Sequence, residues 1–287
     1  MDNVLSLVNI SPDAAKRLPT KIENFDKLLG GGFVQGSTIL FAGEPGVGKS
    51  TFLLQIAQKL AEQNYKVLYA SGEETLGQIK LRAIRLSVNN PEIWCSEIIN
   101  LEKLFEIIKE VNPEFIIVDS LQMIYSKALR QPPGSPSQMR YCLASLIEYT
   151  KTHNKILVAI GHATKAGLVA GIMTLQHMTD AVFFMTLISG DLRQIYSRKN
   201  RFGASQIAWR IRMTPVGVID ASYEITDEQA EGKSIIISYE SIREILARSF
   251  FNSMVIHSDF KYLFEKKFGK TELNKIKGYD AVYHLDD

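Results

Sequence analysis

Residues 37–63 read STILFAGEPGVGKSTFLLQIAQKLAEQ, and this stretch decides the fold class. The apolar run 37–42 lies between Gly36 and Gly43, as a buried strand would. Residues 50–63 place Phe52, Leu53, Ile56 and Leu60 at helical spacing. Between them, Gly43-Glu44-Pro45-Gly46-Val47-Gly48-Lys49-Ser50 matches G-x-x-x-x-G-K-[ST] residue for residue. The strand before and helix after are the context a phosphate-binding loop requires. Its glycines permit a tight loop whose amides turn onto phosphate oxygens, and the helix adds its positive dipole end. Lys49 is expected to reach the β- and γ-phosphates of ATP, Ser50 to ligate Mg²⁺, and Thr51 to lie nearer the α-phosphate. A ligand-free Gly-rich turn is the competing reading.

Outward from this loop, strand and helix patterns alternate. Strands are predicted at 66–70, 115–118 and 155–160, and helices at 76–86, 101–110 and 141–152. Such alternation marks a mostly parallel sheet flanked by helices. Beyond residue 181 the texture changes to strand-like runs at 181–188, 194–199 and 207–213, expected as antiparallel strands at one edge. Residues 220–233 are acidic and polar and read as a linker. A strand at 234–239 and a helical pattern over 241–267 follow. The expected division is an N-terminal segment 1–17, an α/β core 18–219, and a small C-terminal extension 220–287.

Composition agrees with a globular chain. Of 287 residues, 46% are hydrophobic and 22% charged, which excludes wholesale disorder, collagen and coiled coil. Cys95 and Cys142 are the two cysteines, too few for a disulfide framework or a four-cysteine zinc site. A reducing, cytoplasmic location is the expectation. No apolar run approaches the roughly 20 residues of a membrane span, and the start MDNVLSLVNISPD lacks the basic region of a secretory signal. The net charge of +2 does not exclude nucleic acid, because binding follows local charge.

Three further features stand where phosphoryl chemistry needs them. Asp119 ends the apolar run 116–118 and can hold Mg²⁺ through its water shell, or merely cap a turn. Ser71-Gly72-Glu73-Glu74 follows a strand and offers a carboxylate to deprotonate attacking water. Glu73, nearer the strand end, is preferred over Glu74. His162 follows the strand 155–160, where a polar side chain can touch the γ-phosphate; a structural histidine competes. Basic residues gather in 193–212, among them Arg193, Arg198, Lys199, Arg201, Arg210 and Arg212. Two loops are expected to face a polyanion, 126–140 with Arg130 and Arg140, and 163–171 with Lys165.

Taken together these residues resemble the ATPase core of the RadA/Sms family, bacterial relatives of RecA. The likeness runs from RLPTKIENFDKLLGGGFVQGS through GEPGVGKSTFLLQ, YASGEE, QIKLRAIRL, VDSLQMIY, PGSPSQMR, GHATKAGLVAG and TLQHMTDAV to the block Lys199-Asn200-Arg201-Phe202-Gly203. It implies a RecA-like P-loop fold and a ring-shaped homo-oligomer binding ATP between subunits. It also implies ATP-dependent action on single-stranded or branched DNA, with recombinase or replication proteins as partners. By the same resemblance Glu73 matches the catalytic glutamate and His162 the γ-phosphate sensor. Lys199 and Arg201 match a basic pair acting on the neighbouring subunit's nucleotide; DNA contact or surface charge are their alternatives. The sequence departs from the family pattern in having no four-cysteine module before Cys95, and only 231–246 is similar to the start of a Lon-like domain. Gln176 replaces an acid. Two rival functions stay open, a KaiC-like regulatory ATPase and a nucleotide-binding modulator of a full-length RadA.

Overall fold

Alternate residues of each strand face opposite sides of a sheet, and here both sides are covered. The computed structural model describes residues 6–9, 16–163, 175–205 and 207–222. Along the chain run β1 (Arg17–Leu18), α1 (Glu23–Leu29), β2 (Phe33–Val34), β3 (Thr38–Gly43), α2 (Lys49–Ala61), β4 (Val67–Ser71), α3 (Leu76–Arg85) and β5 (Ile93–Ser96). Then come α4 (Leu101–Val111), β6 (Phe115–Asp119), α5 (Pro136–Thr152), β7 (Ile156–His162), β8 (Ala181–Ser189), β9 (Leu192–Asn200), β10 (Ala208–Thr214) and β11 (Gly217–Asp220).

Among the described residues, β1 and β2 pair alone, and a nine-stranded sheet takes the order β11-β10-β9-β8-β3-β7-β6-β4-β5. Strands β8, β3, β7, β6, β4 and β5 run parallel, and β9, β10 and β11 continue antiparallel from β8. Ile39, Phe41, Tyr69, Ile117 and Val158 face one layer with Phe25, Phe52 and Ile79, under α1, α2 and α3. Leu40, Ala42, Leu68, Val118 and Ala159 face the other, with Leu104, Ile108, Leu143 and Leu146 of α4 and α5. Crossovers α2 and α3 therefore cover one face and α4 and α5 the other. That switch opens a crevice at the C-terminal ends of the central strands.

Three expectations need correction. Strand β5 was not anticipated, because Ile93–Ser96 is a half-exposed edge without an apolar run. Helix α5 begins at Pro136, with Ser135 as N-cap accepting from the Gln138 amide, so residues 136–140 belong to the helix rather than the predicted loop 126–140. Asp220 ends β11 instead of opening a linker. Its carboxylate accepts from Trp209 Nε1 at 2.9 Å and Asn24 Nδ2 at 2.7 Å, tying β11 to α1. Most of the predicted segment 1–17, the loop 163–171 beyond Ala163, with Lys165, and the predicted elements beyond Ser222 lie outside the described residues.

Candidate active site

The loop Gly43–Ser50 joins β3 to α2 at the C-terminal edge of the sheet. Two of its glycines are sterically required. A Cβ on Gly43 would stand 2.3 Å from the Met185 carbonyl oxygen, and Gly48 has φ +112° with Met213 Sδ 2.8 Å from its would-be Cβ. Gly48 is the N-cap of α2, which has no side-chain cap, so the first-turn amides are left for a ligand. Val47, Lys49 and Thr51 are buried, Pro45 and Gly46 are exposed, and Glu44 and Ser50 are half-buried.

Lys49 Nζ donates to the Gly43 and Glu44 carbonyls at 2.9 and 2.8 Å, folding back over its own loop. Burial lowers its pKa to about 8, against the opposing pull of Asp119 and Glu73. The ammonium also lies 3.3 Å from His162 Nδ1. Parallel pairing of β3 with β7 sets Gly43 beside His162, which explains why a residue 113 positions on reaches the loop. His162 Nε2 in turn lies 2.5 Å from Glu73 Oε1. With Nδ1 facing a donor, Nε2 carries the proton and donates to Glu73. That bond holds the Glu73 carboxyl below the usual range, against burial. Glu74 points elsewhere. It pairs with Arg82 at 2.5 Å, and burial pushes its carboxyl up.

Asp119 ends β6 directly across from Ser71 and is almost wholly buried. Its Oδ2 accepts from the Tyr69 hydroxyl, and its Oδ1 has no partner among the described residues. Burial first, then the Asp119 charge, keeps Tyr69 protonated by raising its pKa. A buried carboxylate oxygen left unpaired costs free energy unless something fills its place. The water shell of Mg²⁺ would fit there, and the Ser50 hydroxyl would be available as a ligand. ATP and Mg²⁺ are thus compatible with the residues present.

The basic residues separate. Ala181 pairs with Ile39 and Asn200, so Lys199 and Arg201 stand at the N-terminal end of the parallel strands, away from their own phosphate loop. Lys199 Nζ donates to the Gln176 carbonyl at 2.9 Å and to that of Thr179, and burial lowers its pKa. Arg201, half-exposed at its side chain, pairs with Asp180 at 3.1 Å. The rest of the block is structural: Asn200 Nδ2 donates to the Leu28 carbonyl, and Gly203 packs on Gly30. Arg130 and Arg140 are both exposed, the first on the loop after β6, the second on α5. Buried Gln138 pins that loop, donating to the carbonyls of Ser126, Leu129 and Gln131 and accepting from the Ser126 amide. Sequence reasoning missed Gln138, and it grouped Arg193 with the other basic residues without foreseeing that its Nε donates to the Val47 carbonyl at 3.3 Å. Neither has a local sequence signal, since each depends on tertiary placement.

A phosphate loop after β3, an acid ending β6 one strand beyond β7, and a carboxylate after β4 define a RecA-like P-loop fold. Comparisons agree. The family model described as "ATPase: KaiC" matches residues 18–102. A KaiC-like protein of the archaeon Pyrococcus horikoshii shares the fold, with a TM-score of 0.61 at 21% identity, over 72% of this chain and 99% of its own. The protein named DNA repair protein RadA in Bacillus subtilis is 38% identical over 247 residues, which is 84% of this chain and 54% of that one. Its namesake in Chlamydia muridarum is 44% identical over 188 residues, 65% of this chain and 41% of that one. Over the matched residues the chain is similar to these RadA proteins. It spans about half the length of the curated relatives it matches. Among the described residues, no helix is long and apolar enough to cross a membrane.

Proposed function

We propose that the chain is a cytoplasmic, Mg²⁺- and ATP-dependent, DNA-stimulated ATPase acting on single-stranded or branched DNA in recombination and repair. The observation that carries this reading is the chain of contacts Lys49–His162–Glu73, which joins phosphate loop, sensor position and acid. Residues Gly43 to Thr51 cradle the triphosphate, and Lys49 leaves its carbonyls for the β- and γ-phosphate oxygens. Ser50 and, through water, Asp119 would hold Mg²⁺, which when bound would supply charge neutralisation on the phosphates. Glu73 takes the proton of the water that attacks the γ-phosphorus, and ADP departs. Its depressed pKa keeps it ionised and able to accept. When Lys49 moves to phosphate, His162 is free to answer the γ-phosphate.

Lys199 and Arg201 belong, in this reading, to the nucleotide site of the next subunit in a homo-oligomeric ring. Their position away from their own loop supports that role. Arg130, Arg140 and Lys165 contact the DNA backbone. We further propose an N-terminal segment 1–17, the ATPase core 18–219 and a C-terminal extension 220–287 as the division of labour, with recombinase or replication proteins as further partners.

The test is steady-state ATP hydrolysis with and without single-stranded DNA, at rising salt. Hydrolysis stimulated by DNA, with affinity falling as salt rises, is expected from backbone contacts. Each phosphate contact removed, as in Arg130→Ala, should flatten the log–log slope by roughly 0.7 on single strands. Hydrolysis indifferent to DNA favours the KaiC-like regulatory reading, and nucleotide binding without turnover favours the modulator.

A further inference from the structure

Tyr69 is fully buried in the core of β4, yet it is not there only to fill space. A phenylalanine would fill the ring's volume without burying a hydroxyl, which costs free energy when unpaired. The Tyr69 Oη has defined partners on both sides. Arg82 Nη2 lies 3.2 Å away and has only protons to offer, so the oxygen accepts there. The hydroxyl's own proton must then go to Asp119 Oδ2. Arg82 is itself fixed by Glu74 at 2.5 Å and is only 12% exposed at its side chain. One phenol thus stands between Arg82 and the carboxylate that fits Mg²⁺.

From this arrangement we propose that Tyr69 is a positioning residue for the metal site. It occupies one oxygen of Asp119, so that the carboxylate presents the other, Oδ1, to the metal's water shell. Arg82 sets the direction of the bond, and Glu74 sets Arg82. The second acid of the Glu73-Glu74 pair therefore serves the metal side of the site, through a relay of Glu74 to Arg82 to Tyr69 to Asp119. Asp119 Oδ1 is one of several buried side-chain atoms without a hydrogen-bond partner among the described residues, and it is the atom this relay leaves over. The inference rests on the phosphate loop binding nucleotide with Mg²⁺.

The experiment measures binding of a fluorescent ADP to the full chain, first without metal and then as Mg²⁺ is titrated. Tyr69→Phe should leave metal-free affinity near wild type and raise the Mg²⁺ concentration for half-maximal effect about tenfold, the size of a hydrogen bond to a charged group. Arg82→Met should shift it in the same direction by less. On an Asp119→Asn background, Tyr69→Phe should add no further shift, because the oxygen it orients has lost its charge. A wild-type Mg²⁺ midpoint in Tyr69→Phe overturns the proposal, as does an equal shift on the Asp119→Asn background. Should Tyr69→Phe not fold, a folded Arg82→Met protein with a wild-type midpoint overturns it equally. Nucleotide binding by wild type that ignores Mg²⁺ removes the metal reading itself, and this inference with it.

Discussion

The two ends of β9 carry arginines with opposite placements. At its start, Arg193 bonds the phosphate loop of its own chain through the Val47 carbonyl. Past its end, Arg201 pairs with Asp180, which also accepts the Thr38 amide at 3.0 Å at the beginning of β3. Antiparallel pairing with β8 makes the difference, because it sends one end of β9 to the phosphate-loop edge and the other to the opposite edge. Basic residues close in sequence are therefore not one patch. One end reaches the chain's own phosphate loop, and the other ends in an exposed arginine paired with Asp180 at the opposite edge.

The sharpest way to break this comparison is at the owned site. Lys49→Ala removes the cation folded over the Gly43 and Glu44 carbonyls, and the first-turn amides cannot replace its charge. ATP turnover should fall below detection in a hydrolysis assay, a loss of at least about 10²–10³-fold. Unchanged hydrolysis would sink the phosphate-loop assignment.

The outward end should show nearly as large an effect, but in another subunit. If Arg201 stabilises the transition state in trans, Arg201→Ala should lose about 10³-fold in turnover. Mixing separates this from DNA contact. Lys49→Ala subunits keep their fingers, and Arg201→Ala subunits keep an intact loop, so rings shown to contain both should regain some activity. Mixed rings without recovery would end the finger role for Arg201 and leave the DNA-contact reading.

Much of this site was legible because its parts are local. The loop 43–50, the acid after FIIV and the acids after YAS are each announced within a few residues. The geometry separates the two acids that stand side by side in the sequence: Glu73 meets His162 and Glu74 meets Arg82. What sequence could not show is register. The bonds Tyr69–Asp119 and Arg193–Val47 join residues 50 and 146 positions apart, and no periodicity encodes such pairs. The Pro136 start of α5 was legible in principle, through Ser135-Pro136, but was masked by the Pro and Gly before it. Strand β5 had no such signal, since Trp94 and Cys95 are exposed and the stretch does not alternate.

Within the owned site the two acids make a finer contrast. Glu73→Gln should bind ATP and hydrolyse it about 10²-fold more slowly or worse, since an amide cannot take the water's proton. Glu74→Gln keeps the base and loosens only its tie to Arg82, so its loss should stay within about tenfold. Single-turnover rates with saturating ATP make the comparison. A larger loss in Glu74→Gln than in Glu73→Gln would move the base by one residue.

The smallest effect expected is at Arg193, and it tests the other half of the comparison. Its guanidinium also donates to the Gly190 carbonyl at 2.8 Å, so the turn between β8 and β9 anchors it before it reaches Val47. It touches the loop through a backbone oxygen, and its bond would exist before and after hydrolysis alike. Such a contact stabilises the loop's shape in ground and transition states equally, and uniform binding appears in KM rather than kcat. Arg193→Ala should therefore raise the KM for ATP about three- to tenfold, as loss of one ordinary hydrogen bond does, with kcat nearly unchanged. Mixing with Lys49→Ala subunits should not restore a wild-type KM to the intact sites, because each loop needs its own arginine. A large fall in kcat, or restoration on mixing, would place Arg193 with Arg201 and erase the distinction between the two ends of β9.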